Sequence, residues 1–228
     1  MLRWLFSKKP SQAGIPELRA EFAQMLEAAH KELSLSSGAF LRLNDAESSK
    51  EEIFSLDKQI NKAERRIRRE LFVKAVVNGE SYLSFCLTLM SAVKDAERLG
   101  DYAKNFYDLA VQASAPETGM RDQMCALRDE LLVQTLKCKE VFLNEDEEGA
   151  KELIFKCTEL AEDCEEQILW YLKKTQPATP LDVVYVLALR YFKRYASHLR
   201  NITSTIVQPL HKIDFTGKIV KRYREENQ

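Results

Sequence analysis

Glycine and proline are scarce, seven and six in 228 residues, together roughly half the usual share of a soluble chain. That argues against sandwiches, barrels and dinucleotide-binding α/β folds, which need glycine-rich turns. A surplus of charge of one sign is also missing: Lys+Arg is 34 against Asp+Glu 35, a net charge of −1. Dedicated nucleic-acid binders carry a clear basic excess, so no nucleic-acid partner is expected. No stretch approaches 18 uninterrupted apolar residues, and no bilayer-spanning segment is expected. The cysteines (Cys86, Cys125, Cys138, Cys157 and Cys164) are odd in number and lack a Cys-x-x-Cys pair. They fit a reducing, cytoplasmic compartment, where cysteine acts as a small core hydrophobe. Gly-x-Gly-x-x-Gly, Walker and Gly-x-Ser-x-Gly motifs are all absent, and no residue set resembles an active site.

What remains, 45% hydrophobic and 30% charged residues, is the mixture of an amphipathic, mostly helical protein. Punctuation marks six long helices. The first opens at Pro16 and runs to about Arg42. The second starts at Ser48-Ser49-Lys50-Glu51-Glu52, a capped start with acids in its first turn, and ends at Asn78-Gly79. The third spans about Glu80 to Ala113, the fourth Thr118 to Phe142, the fifth Glu147 to Lys174, and the sixth Leu181 to Gln208.

These fall into two sets of three that resemble each other. Asp95–Asn105 aligns without gaps with Tyr191–Asn201, pairing Arg98 with Arg194, Gly100 with Ala196 and Asn105 with Asn201. Apolar or small residues recur through the third helix at Tyr82, Cys86, Leu89, Val93, Ala96, Gly100, Ala103, Tyr107 and Ala110, the alternation of a bundle seam. The sixth helix repeats it at Tyr185, Leu189, Phe192, Ala196, Leu199 and Ile206, with Thr203 interrupting. The expected fold is all-α: two tandem three-helix bundles of long antiparallel helices. Its parts are a basic and aromatic segment over 1–15, a first repeat over 16–115, a degenerate second repeat over 116–210 and a tail over 211–228. The first part holds only a three-residue apolar run, Trp4-Leu5-Phe6, too short for a secretion-signal core. Its aromatics are expected to dock on the body, the alternatives being a weak membrane-surface anchor or, with Leu2, a self-association interface. The tail is expected to be mobile or to dock through Ile219, Val220 and Tyr223.

Glu97 and Asp101, four residues apart beside the seam, share one helix face and repel each other by a few tenths of a kcal/mol. A bound hard cation would reverse that sign; otherwise the pair is a solvated face damped by Lys94 and Lys104. Other candidates are weaker. Glu27-Ala-Ala-His30 is a single Glu-x-x-His, whereas di-iron bundles use two such motifs with two further Glu. His198 reads as a satisfied or exposed histidine, and His211 as a maker of local contacts. Lys62, Arg65, Arg66, Arg68 and Arg69 form a basic cluster, and Lys218, Lys221, Arg222 and Arg224 another. Both suit an acidic partner or anionic lipid, or a face balanced by Glu64 and Glu70.

The segment Asp95-Ala-Glu-Arg-Leu-Gly-Asp-Tyr-Ala-Lys-Asn105 resembles the signature of the PhoU family, accessory regulators of bacterial phosphate uptake. That signature typically reads Asp-Leu-Glu-Arg-Ile-Gly-Asp-His-Ala-x-Asn in the last helix of each three-helix repeat. The resemblance implies two such repeats side by side, with metal clusters held on the bundle surface by paired acids. Carried over, Glu97 and Asp101 match the acidic pair of the first repeat. Asp57 matches the first acid of the middle-helix pair, whose second position is the neutral Asn61. In the second repeat Lys193 and Ser197 stand where the acids belong, and Asp163 is followed by Gln167. Those positions are not expected to bind metal; a divalent or ferric ion is expected, if anywhere, at Glu97, Asp101 and Asp57. The function implied is a non-enzymatic regulator or adaptor of phosphate or related anion transport. It would dock to a membrane transporter or sensor kinase at the inner membrane face. The alternative is a metal store or metal-dependent enzyme using the first repeat's carboxylates.

Overall fold

A computed structural model of the chain describes residues 15–227. The segment expected over 1–15, with Leu2, Trp4, Leu5 and Phe6, lies outside the described residues apart from Ile15. Six long helices follow one another: α1 (Ile15–Phe40), α2 (Ala46–Asn78), α3 (Glu80–Gln112), α4 (Thr118–Asn144), α5 (Glu147–Leu172) and α6 (Pro180–Val207). A 3₁₀ turn at Leu210–Lys212 leads to a short α7 (Gly217–Glu226). No strand occurs among the described residues, and the fold is an all-α helical bundle.

The helix starts follow local chemistry. Asp45 caps α2, its carboxylate accepting from Ser48 N at 2.8 Å. The start therefore lies ahead of the Ser48-Ser49 pair, whose hydroxyls instead donate to the Asp45 carbonyl. Asp146 caps α5 through Gly149 N. Thr179 and Asp182 form a reciprocal capping box at α6, with Pro180 in the first turn. Gly79 (φ 62°) makes the tight α2–α3 turn in a conformation that side chains rarely adopt. The tail forms a helix that docks on α5: Val220 is buried, Tyr223 packs on Phe155 at 4.9 Å, and Arg224 pairs with Glu162 at 2.6 Å. Ile219 is half-buried beside them.

Helices α1–α3 pack on one another, as do α4–α6, and the sets join along α3 against α6 and α1 against α4. All nine seam positions expected in α3 are buried. In α6 the seam holds through Thr203, while Ile206 is half-buried. Across the joint Phe106 meets Phe192 (ring centroids 4.4 Å) and Phe22 meets Phe142 (4.5 Å). Each ring buried this way contributes about 1.5–3 kcal/mol from apolar area alone. One hydrophobic cluster runs unbroken from Leu18 in α1 to Ile202 in α6.

Candidate functional site

The signature segment of α3 presents different residues to three surroundings. Asp95 faces α6, where its Oδ1 accepts from His198 Nδ1 at 2.6 Å and from Asn201 Nδ2 at 3.2 Å. Tyr102 stacks on the His198 ring at 5.6 Å, and its hydroxyl accepts from Arg194 Nε at 3.3 Å. Arg194 Nη2 lies 3.2 Å from His198 Nε2. A guanidinium can only donate, so Nε2 accepts and the Nδ1 hydrogen points to Asp95. The two aligned segments thus meet antiparallel across the joint. His198 is a satisfied histidine, and Arg194, unlike its counterpart Arg98, is spent on this seam.

The carboxylates lie on the other side of α3. Glu97 Oε2 receives Lys94 Nζ at 2.6 Å, Asp101 Oδ2 receives Arg98 Nη1 at 3.1 Å, and Asp57 Oδ1 on α2 receives Lys104 Nζ at 2.8 Å. Asn61 Nδ2 donates to its own helix at the Asp57 carbonyl. Within the described residues no three His, Cys, Asp or Glu side chains are grouped to hold a metal ion. A hard cation seeks several convergent oxygens, whereas each of these carboxylates already holds a lysine or arginine. In the second half Lys193 pairs with Glu165, Ser197 Oγ donates to the Lys193 carbonyl, and Asp163 is exposed. Glu27 of the lone Glu-x-x-His pairs with Lys139 at 2.6 Å. Burial, with Arg128 and Lys139 near by, pushes His30 below the usual histidine value.

One residue that sequence reasoning missed stands at the centre of this face. Glu32 of α1 is fully buried, and neither carboxyl oxygen has a hydrogen-bond partner. Burial pushes it up to about 9, with Asp57 and Asp101 reinforcing the shift and Lys104 opposing it. It is a neutral acid at pH 7. Gly100 makes room for it: a Cβ there would stand 3.2 Å from Glu32 Oε2 and 3.0 Å from Ile60 Cδ1. The signal was present as a seven-residue spacing, since Leu18, Met25, Glu32 and Ala39 all fall on the buried stripe of α1. Burial drives the Cys138 and Cys164 thiols up to about 12 and pushes Cys157 upward as well.

Residues 22–110, nearly all of α1–α3, match the PhoU domain. The chain is 25% identical over 165 residues to the phosphate-specific transport system accessory protein PhoU homolog of Synechocystis, covering 68% of this chain and 71% of that protein. Its fold is similar to the crystal structure of PhoU from Pseudomonas aeruginosa, with a TM-score of 0.72 at 19% identity over 86% of this chain and 96% of that one. The Asp95–Asn105 segment on the α3–α6 joint lies inside the part of the chain that matches the PhoU domain, and the fold of the chain is that of the Pseudomonas aeruginosa protein.

Proposed function

We propose that this chain is a non-enzymatic regulator of phosphate or related anion transport, an adaptor that docks to a membrane transporter or its sensor kinase from the cytoplasmic side. The observation that carries the reading is the Asp95–Asn105 signature, set in a matched PhoU domain. The name of the Synechocystis relative, an accessory protein of a phosphate-specific transport system, supports the same role. The surface agrees with it. Glu97, Asp101 and Asp57 are ion-paired, and its helix faces carry mixed charge suited to docking. Deleting the gene and following phosphate uptake and phosphate-responsive transcription at high and low phosphate tests the reading. The expected result is a response no longer matched to phosphate supply; uptake and transcription identical to the parent strain would sink it.

A metal-dependent role would need an ion at Glu97, Asp101 and Asp57 to displace Lys94, Arg98 and Lys104. The regulatory reading needs no such ion. Elemental analysis of untagged protein is expected to find no stoichiometric metal. One ion per chain, lost in Glu97→Ala, would instead favour the metal-binding reading.

A further inference from the structure

The outward face of α2 carries an unusual order of side chains. Opposite the buried Ile53, Leu56, Ile60, Ile67 and Leu71, the exposed positions at helical spacing are Lys58, Lys62, Arg65 and Arg69, followed by Phe72, Val73 and Val76. The neighbouring cations Arg66 and Arg68 are taken by Glu21 and Glu64. None of the four on the outward face is in an ion pair with a described residue; Arg65 only donates to the backbone of its own helix, at the Asn61 carbonyl. Beyond Leu71 no residue of α2 is buried. Phe72 is 66% exposed, Val76 67% and Val77 74%, and from Leu71 through Ser84 the only acid is Glu80. Water is a poor surrounding for such a cluster, and nothing within the described residues covers it.

We propose that this face of α2 binds the surface of an anionic lipid bilayer, with the helix end bearing Phe72, Val73, Val76 and Val77 entering the interface and Lys58, Lys62, Arg65 and Arg69 lying among the headgroups. The charge complementarity is direct, since a row of unpaired cations meets a negative surface potential. A helix that lies along the surface with such a face sinks ~5–10 Å into the headgroup and acyl boundary. No helix of the described residues is long and apolar enough to cross a membrane, so this is surface attachment. The apolar side chains sit at the end of the α2–α3 hairpin, next to the turn at Gly79. The inference deepens the regulatory reading by naming the surface that would hold the chain beneath a transporter, and it rests on that reading only for its cellular setting.

The test is co-sedimentation of the full chain with vesicles of phosphatidylcholine, with or without roughly 30% phosphatidylglycerol, at ~0.1 M and ~0.5 M salt. Binding is expected to anionic vesicles only and to weaken at the higher salt. The triple variant Lys62→Ala/Arg65→Ala/Arg69→Ala should bind on the order of a hundredfold more weakly, at about fivefold per cation. Phe72→Ser/Val76→Ser should lose on the order of a hundredfold. All five positions are exposed, so circular dichroism should show both variants folded. Equal binding to neutral vesicles, no binding at all, or a triple variant that binds like the parent would overturn the assignment. So would a triple variant that releases a membrane-protein partner while no vesicle is bound, which would make the face a protein interface. A failed vesicle experiment leaves the phosphate response intact, and a strain without a phosphate phenotype leaves vesicle binding to be measured, so the two failures are separable.

Discussion

Glu32 concentrates the physics of the carboxylate face in one side chain. A fully buried carboxyl without a hydrogen-bond partner pays the whole cost of ionisation, and the nearby negative charges of Asp57 and Asp101 raise that cost. The sign of its effect on stability follows. The unfolded chain releases this proton near its ordinary value of 4.5, while the folded chain holds it up to about 9. Between those values the folded state binds the extra proton, so raising the pH weakens the fold. The contribution is complete below the unfolded value and is lost progressively as pH rises toward the folded one. Urea unfolding of the parent and of Glu32→Gln isolates it, because an amide does not titrate. The stability of the variant relative to the parent should rise by on the order of 2–4 kcal/mol between about pH 5 and about pH 8. A difference independent of pH would mean that Glu32 is ionised in the fold.

At the scale of helices, what was legible in the sequence is what repeats. The α3 seam follows from spacing alone, because a run that alternates four and three residues has only one face to bury, and all nine positions are buried. Helix starts were less legible, since several polar residues compete for each cap. Ser48 and Ser49 are good capping residues, yet Asp45 takes the role and leaves their hydroxyls to the backbone of the first turn. The helical tail was harder still. Helix α7 is short and mostly charged, and it is fixed by partners more than fifty residues away, Phe155 and Glu162 of α5, which local pattern does not reveal. The carboxylate face divides the same way. The sequence placed Glu97 and Asp101 near Lys94 and Lys104, but only the packing of α2 on α3 brings Lys104 onto Asp57, and only that of α1 brings Glu32 beside Gly100.

For the whole molecule, the question is whether two repeats behave as two units or as one. Sequence self-similarity divides the chain near Pro116, but the hydrophobic cluster crosses that division without a gap. Phe106 is the node: fully buried on α3, it lies 4.4 Å from Phe192 and 5.7 Å from Tyr191 on α6, and 6.0 Å from Phe40 on α1. Polar contacts reinforce the joint, with Asp95 holding His198 and Asn201, and Arg194 reaching Tyr102. Two halves that share this much buried surface should unfold together. Removing the ring in Phe106→Ala should cost about 3–5 kcal/mol, which for a chain of this length lowers the melting temperature by on the order of 10 °C. The informative measurement uses two probes in a Trp4→Phe background, where the remaining tryptophan, Trp170, reports on α5 while far-ultraviolet circular dichroism reports on every helix. One coincident transition is expected in both proteins, moved as a whole by the substitution. If Trp170 fluorescence instead keeps the parent's midpoint while the circular dichroism splits in two, the second half stands without the first. The α3–α6 joint would then be a contact between independent bundles rather than the middle of one core.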